Sequence, residues 1–267
     1  MLSSAQIQHF REFGYIVIDG VEPRLLEPLR KASDRVLKKA RAGQWPSRKI
    51  DDDIWGVSNL LDPVLEEPVF GEYMATPQVV EVARDLLGER ELRLSLTNML
   101  CNPSKKDFDI AWHRDLGDPK IGGEEELKVL REAQYGVQWN AALYDESCLR
   151  IVPGSHIRNM TDAERDVMLN RPRDPMPGEM IVDLKAGQTV YYNALIIHRG
   201  VYPCGQRRET LHANLSSMRE PKPLKFQYEQ VKFMEAPDFK KTIPAALHPL
   251  HDNWLKFAQR FQAEAVR

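Results

Sequence analysis

The chain has 267 residues, 42% of them hydrophobic and 28% charged, with a formal net charge of −2. That length buries a substantial core without disulfides, and the composition is that of an ordinary soluble globular protein. The near-neutral balance argues against nucleic acid or an anionic membrane surface as a partner, and no apolar run approaches the roughly twenty residues of a membrane helix.

Ser4 is expected to cap a short helix carrying Ile7, Phe10 and Phe13 on one side, ended by Gly14. Tyr15-Ile-Val-Ile-Asp19 follows as a β-branched strand. From Pro23 to about Ala42, Leu25, Leu26, Leu29, Ala32, Val36 and Leu37 recur at helical spacing. The basic residues Arg35, Lys38, Lys39 and Arg41 fall on its solvated face. Residues 43–70, with Asp51–Asp53, read as an irregular segment of the kind that carries function. A helix is expected over Pro77–Leu87.

From Glu91 the pattern changes to short strands broken by turns. They are Leu92–Leu100, Gln138–Leu143, Leu149–Val152, Gln188–Tyr192, Leu195–His198 and Thr210–Ser216, with a turn at Pro153-Gly154-Ser155. Such spacing indicates an antiparallel barrel or jelly roll. A last helix, Asn253–Ala265, presents Trp254, Phe257, Ala258 and Phe261. The fold expected is mainly β with flanking helices around a double-stranded β-helix, a jelly-roll, cupin-like core. It forms a single domain: a helical region over about 1–90, the core over about 91–218 and a helical extension over about 219–267. Cys101, Cys148 and Cys204 form no C-x-x-C pair, which excludes a disulfide framework and a thiolate zinc site. With a polar N-terminus lacking a secretory h-region, a reducing, cytoplasmic location is expected.

His113, Asp115 and His198 read as a metal site. Two imidazoles and one carboxylate suit ferrous iron and leave coordination positions open. A His-x-acid triplet arises by accident about once in a chain of this composition, so the context decides. Trp112-His-Arg-Asp115 follows a polar loop and is expected to enter a strand, where residues i and i+2 share a face. His198 is expected to end an apolar strand at the mouth of the barrel, where a metal gives an imidazole its reason to be there. Arg208 precedes the neighbouring strand. A guanidinium there needs an anion, and its planar fork matches a carboxylate. Strand alternation lets only one of Arg207 and Arg208 face inward, and the pattern favours Arg208. His212 is a further candidate beside the site, His156 sits in a turn, and His9, His248 and His251 read as surface or packing residues.

Several stretches in order resemble the phytanoyl-CoA dioxygenase family of iron(II)- and 2-oxoglutarate-dependent oxygenases. They are the opening from Gln6 to Ile18, then Asn98–Pro103 leading to Trp112–Asp115, Cys148–His156, and Gly187–Tyr192 with His198 and Arg208 behind it. The resemblance implies that His113, Asp115 and His198 bind Fe(II) and that Arg208 grips the distal carboxylate of 2-oxoglutarate. It also implies that Met99 and Trp139 line the cosubstrate pocket. Dioxygen is the third reactant, and a small-molecule C–H bond is oxidised with release of succinate and CO2. Asp115 occupies the position that related halogenases leave vacant for halide, which favours hydroxylation or another halide-free oxidation. Arg199-Gly200 stands where family members usually carry Gly-Ser, and Arg114 where Gln is frequent, so Arg114 and Arg199 are candidate contacts for an anionic substrate. No obligate protein partner is indicated. Two alternatives stay open on the residues alone: a non-catalytic cupin-like binding protein, and a zinc-dependent hydrolase or isomerase using the same triad.

Overall fold

A computed structural model describes residues 1–221 and 225–265, the side chains of 225–227 and 261–265 excepted, so the expected packing of Phe261 lies outside the described residues. The first helix, α1 (Ser4–Phe13), is capped by Ser3 rather than Ser4. The Ser3 hydroxyl accepts from the Gln6 amide while the Gln6 side chain accepts from the Ser3 amide. Gly14, at φ 79°, turns the chain into β1 (Tyr15–Asp19). The long helix α2 (Pro23–Arg41) then buries Leu25, Leu29, Ala32, Val36 and Leu37.

The segment expected to be irregular is ordered instead. It forms a hairpin of β2 (Ser47–Ile50) and β3 (Asp53–Val57), followed by a short helix α3 (Val69–Met74). Asp51 and Asp52, at φ 46° and 62°, supply the two positive-φ residues of a tight hairpin turn, which aspartate tolerates. An acidic pair with no apolar alternation beside it hid those strands. Helix α4 (Pro77–Leu87) falls where the periodicity put it.

The remaining strands are β4 (Leu92–Cys101), β5 (Phe108–Asp109), β6 (Gly136–Ala142), β7 (Glu146–Val152), β8 (Met180–Leu184), β9 (Gln188–Asn193), β10 (Ile197–Tyr202) and β11 (Glu209–Ser217). Between them lie α5 (Gly123–Glu132) and α6 (Asp162–Asn170), two helices the apolar spacing did not announce. One sheet runs β1-β9-β6-β11-β4-β3-β2 and the other β5-β10-β7-β8, with antiparallel pairing throughout. This is the expected jelly roll.

The larger sheet has two different faces. Val137, Trp139 and Ala141 of β6 and Leu211, Ala213 and Leu215 of β11 pack into a core with α2 and α4. That core continues into the C-terminal helices α7 (Lys225–Val231), α8 (Phe239–Thr242) and α9 (His248–Ala265), where Trp254, Phe257 and Ala258 are buried. The alternating residues of β6 and β11 face the smaller sheet. Between the sheets, Leu149, Ile151, Val182, Val190 and Tyr192 form a second apolar layer. The polar residues Gln138, Asn140, His212, Asn214 and Ser216 line cavities on that inner side.

Candidate active site

His113 and His198 sit directly opposite each other in an isolated antiparallel bridge, exchanging backbone bonds of 3.1 and 2.9 Å. The Trp112–Asp115 segment therefore touches the sheet through this one bridge and does not form the strand expected of it. His198 is the second residue of β10 and opens that strand instead of ending it. The Asp115 amide bonds to the Ala194 carbonyl at 3.0 Å, so both ends of the His-x-Asp triplet are tied to the approach to β10.

The side chains converge. The ring centroids of His113 and His198 are 4.3 Å apart. Asp115 Oδ1 lies 3.5 Å from His113 Nε2 and 3.8 Å from His198 Nε2. One donor atom from each residue falls within 4.8 Å of the others, close enough to hold a metal ion. Each outer ring nitrogen is committed: His113 Nδ1 is 2.8 Å from the Ala111 carbonyl and His198 Nδ1 is 2.9 Å from that of Ile196. With Nδ1–H donating to a carbonyl, the lone pair of each ring is on Nε2, the nitrogen aimed at the shared point. Gln138 Nε2 donates to Asp115 Oδ2 at 2.7 Å and leaves Oδ1 for that point.

The electrostatics agree with a cation site. Burial alone would raise the Asp115 carboxyl, but the imidazoles of His198 and His113 hold it down at about 2. Burial, followed by the neighbouring His113, lowers His198 to about 4, which keeps it a neutral lone-pair donor.

Arg208 is buried and opens onto the same cavity of about 110 Å³ as the His–Asp–His cluster. Its Nε is 2.7 Å from Glu146 Oε2 and donates to Thr210 Oγ1 at 3.1 Å. Thr210 Oγ1 in turn donates to Glu146 Oε1 at 2.9 Å. The guanidinium thus has a protein counter-ion on one edge, which the sequence did not foretell. Among the described residues its Nη1 is buried without a hydrogen-bond partner. A buried, unsatisfied guanidinium nitrogen beside a metal-type cluster fits an incoming carboxylate. Arg207 points outward as expected, half exposed against Asp34.

Met99 and Trp139 are not pocket residues. Both are completely buried in the helix-backed core, and Trp139 packs on Tyr191 at 5.4 Å. Their strand neighbours Leu100, Gln138 and Asn140 line the cavity in their place, because successive residues of a strand point to opposite faces. The signal that finds Gln138 and Asn140 is the polar half of the alternation in a buried strand, Val137-Gln138-Trp139-Asn140-Ala141.

Arg114 and Arg199 are also corrected as substrate contacts, since both are engaged within the protein. Arg114 bonds to Glu126 at 2.5 Å and to the carbonyls of Ser155 and Arg158. Arg199 is buried with its guanidinium 4.8 Å from the centre of the Trp112 ring, donates to the Arg173 carbonyl and lies 3.8 Å from Asp109 and 3.9 Å from Glu179. His212 lines the cavity with Nδ1 2.8 Å from Asn140 Oδ1. His156 is buried against the Arg11 carbonyl, as a structural residue.

The jelly roll and this donor set define the class, a cupin-like fold with a His–Asp–His cluster that could hold a metal ion. The family follows from comparison. The chain belongs to the phytanoyl-CoA dioxygenase (PhyH) family, whose model matches residues 10–201. It is an oxygenase-type enzyme of the iron- and 2-oxoglutarate-dependent group, with Fe(II), 2-oxoglutarate and dioxygen as cofactors.

Among solved structures, EctD from S. alaskensis with 2-oxoglutarate and 5-hydroxyectoine is similar at a TM-score of 0.65 and 19% identity, covering 92% of this chain and 86% of EctD. AviO1 from Streptomyces viridochromogenes Tue57 gives 0.61 and 18%, over 83% of this chain and 96% of its own. The 2-oxoglutarate-dependent epimerase SnoN from nogalamycin biosynthesis gives 0.58 and 18%, over 80% and 82%. At such identities these likenesses speak for the fold alone. No curated protein matches the sequence. Among the described residues no helix is long and apolar enough to cross a membrane.

Proposed function

We propose that the chain hydroxylates a C–H bond of a small molecule, with release of succinate and CO2. In this reading His113, Asp115 and His198 hold the iron, and Arg208 grips the distal carboxylate of 2-oxoglutarate. The observation that carries it is the meeting, in one cavity, of the His–Asp–His cluster and a buried guanidinium with a free donor. Iron and 2-oxoglutarate, when bound, supply the activation of dioxygen.

The chain's own residues supply binding and orientation. Ala111, Ile196 and Gln138 fix the rotation of the three ligands. Glu146 and Thr210 hold the Nε edge of Arg208, so that the opposite edge stays pointed at the cosubstrate without paying rotamer entropy on binding. Leu100, Ile110, Leu149 and Tyr192 form the apolar part of a wall that is otherwise polar. With Asp115 as a carboxylate ligand, a bound iron would have no place there for halide, which argues for hydroxylation or another halide-free oxidation. A second cavity of about 200 Å³ adjoins the same Asp115 and gives the substrate a place beside the metal.

Succinate formation tests the reading. The iron-loaded protein with ascorbate, 2-oxoglutarate and a metabolite mixture forms succinate only when oxygen is present, and one metabolite gains an oxygen atom. Turnover that persists without oxygen, or with zinc in place of iron, would show a hydrolase or isomerase instead. No succinate from the iron-loaded protein under any mixture would leave only a binding function.

A further inference from the structure

Arg48 is a second guanidinium at this site, and among the described residues no acid pairs with it in contact, although the Asp115 carboxylate acts on it through space. It lies on β2, in the segment whose sequence reads as irregular, and lines both the 110 Å³ cosubstrate cavity and the adjoining 200 Å³ cavity. Among the described residues it makes no hydrogen bond or ion pair; its guanidinium carbon lies 5.5 Å from the centre of the Trp55 ring. Partial burial is the main influence on its charge and works against it. An arginine so placed needs an anion.

The local backbone is built to hold it there. The β2–β3 register shifts between Arg48 and Lys49, a bulge of the kind that re-aims a side chain. Its cross-strand partner is Gly56, where an added Cβ would lie 3.3 Å from Arg48 Cδ, so the absence of a side chain there lets the arginine stem pass over β3.

The other charged groups of the larger cavity are committed. Glu220 pairs with the buried Arg93, and Asp115 belongs to the His–Asp–His cluster. The rest of the wall is apolar, as at Leu116, or carries neutral donors and acceptors such as Asn214 and Ser216. Arg208, which serves the cosubstrate in the reading above, does not reach this cavity, whereas Arg48 does.

We propose that Arg48 selects the substrate by binding a carboxylate or similar oxyanion on the molecule in the larger cavity, so that the substrate is a small acid. This rests on the oxygenase reading of the same site and names its substrate class. Arg48 fixes the acid group at the junction of the cavities, and the carbon skeleton runs along the apolar wall past Asp115.

The test uses the full-length protein and a panel of aliphatic and aromatic monocarboxylic acids, each paired with its primary carboxamide. Binding is read by anaerobic calorimetry with iron and 2-oxoglutarate present, and turnover separately by succinate. At least one acid binds about tenfold or more tightly than its carboxamide, the scale of a charge-assisted hydrogen bond. Arg48→Gln removes that preference and Arg48→Lys keeps part of it, while a circular-dichroism melt verifies that both variants are folded. The proposal is overturned if no acid is preferred in the natural protein. It is equally overturned if Arg48→Gln raises the KM for 2-oxoglutarate tenfold while leaving the acid preference intact, because Arg48 would then serve the cosubstrate. Arg48-dependent acid binding without any succinate would sink the oxygenase reading and leave the assignment of Arg48 standing.

Discussion

Replacing Arg208 with alanine separates the two tasks of its guanidinium. One edge neutralises Glu146, whose side chain is 1% exposed, while Nη1 is buried without a hydrogen-bond partner among the described residues and the side chain borders the cavity. Loss of the charge-assisted contacts to the cosubstrate costs about 3 kcal/mol, or about a hundredfold in affinity for 2-oxoglutarate. The same change strands a buried carboxylate, which costs roughly 3–5 kcal/mol of stability. A second substitution, Glu146→Gln, removes the stranded charge. The double variant therefore recovers most of the stability but none of the affinity. Urea denaturation and anaerobic calorimetry with 2-oxoglutarate on the iron-loaded protein read the two quantities separately. If Arg208→Ala binds 2-oxoglutarate as the natural protein does, the clamp is misassigned; if Glu146→Gln restores the affinity of the double variant, Arg208 acts only through its ion pair. Arg207→Ala, at an exposed side chain before β11, changes affinity by less than about twofold.

Gln138→Leu removes the hydrogen bond to Asp115 Oδ2 and weakens iron binding by about tenfold to a hundredfold, readable by competition with a chelator; unchanged affinity would show that the amide plays no part in orienting the carboxylate. Gly14→Ala places a Cβ about 2.5 Å from His156 Nδ1 at a position with φ 79°, so the urea midpoint falls by the equivalent of at least about 1–2 kcal/mol. His156 gives a pH dependence. Burial holds it at about 4 in the folded protein, below the ordinary 6.5. The unfolded chain therefore takes up a proton first as the pH falls, and this residue's contribution to stability, up to about 3 kcal/mol, is lost between about pH 6.5 and pH 4. Denaturation at pH 7 and pH 5 shows a smaller drop for His156→Gln than for the natural chain; equal drops would refute the assignment.

The parts of the fold legible in the sequence were those with strong periodicity. Tyr15–Asp19 and Pro77–Leu87 fall where the pattern put them, because the first is a compact β-branched run between two glycines and the second a one-sided apolar stripe between proline and glycine. The hairpin at 47–57 was hidden, since its strands are short and its turn is two aspartates. That blindness also concealed Arg48, whose significance lies in a cavity that it shares with Asp115 and His212, more than sixty positions away. Arg208 could be chosen over Arg207 by alternation alone, yet its partner Glu146 could not, because it comes from a strand of the other sheet. Met99 and Trp139 came from resemblance, and their strands turn those side chains into the helix-backed core. The polar alternation of Gln138 and Asn140 on β6, and of His212, Asn214 and Ser216 on β11, marks the pocket face more directly.

The central claim is that His113, Asp115 and His198 share one ion, and iron binding measures it most directly. Anaerobic equilibrium dialysis of the full-length protein against Fe(II) should give one iron per chain, and His198→Ala should weaken that binding by about a hundredfold or more while the protein remains folded. A natural protein that holds no iron, or a His198→Ala variant that holds it equally well, would contradict the account.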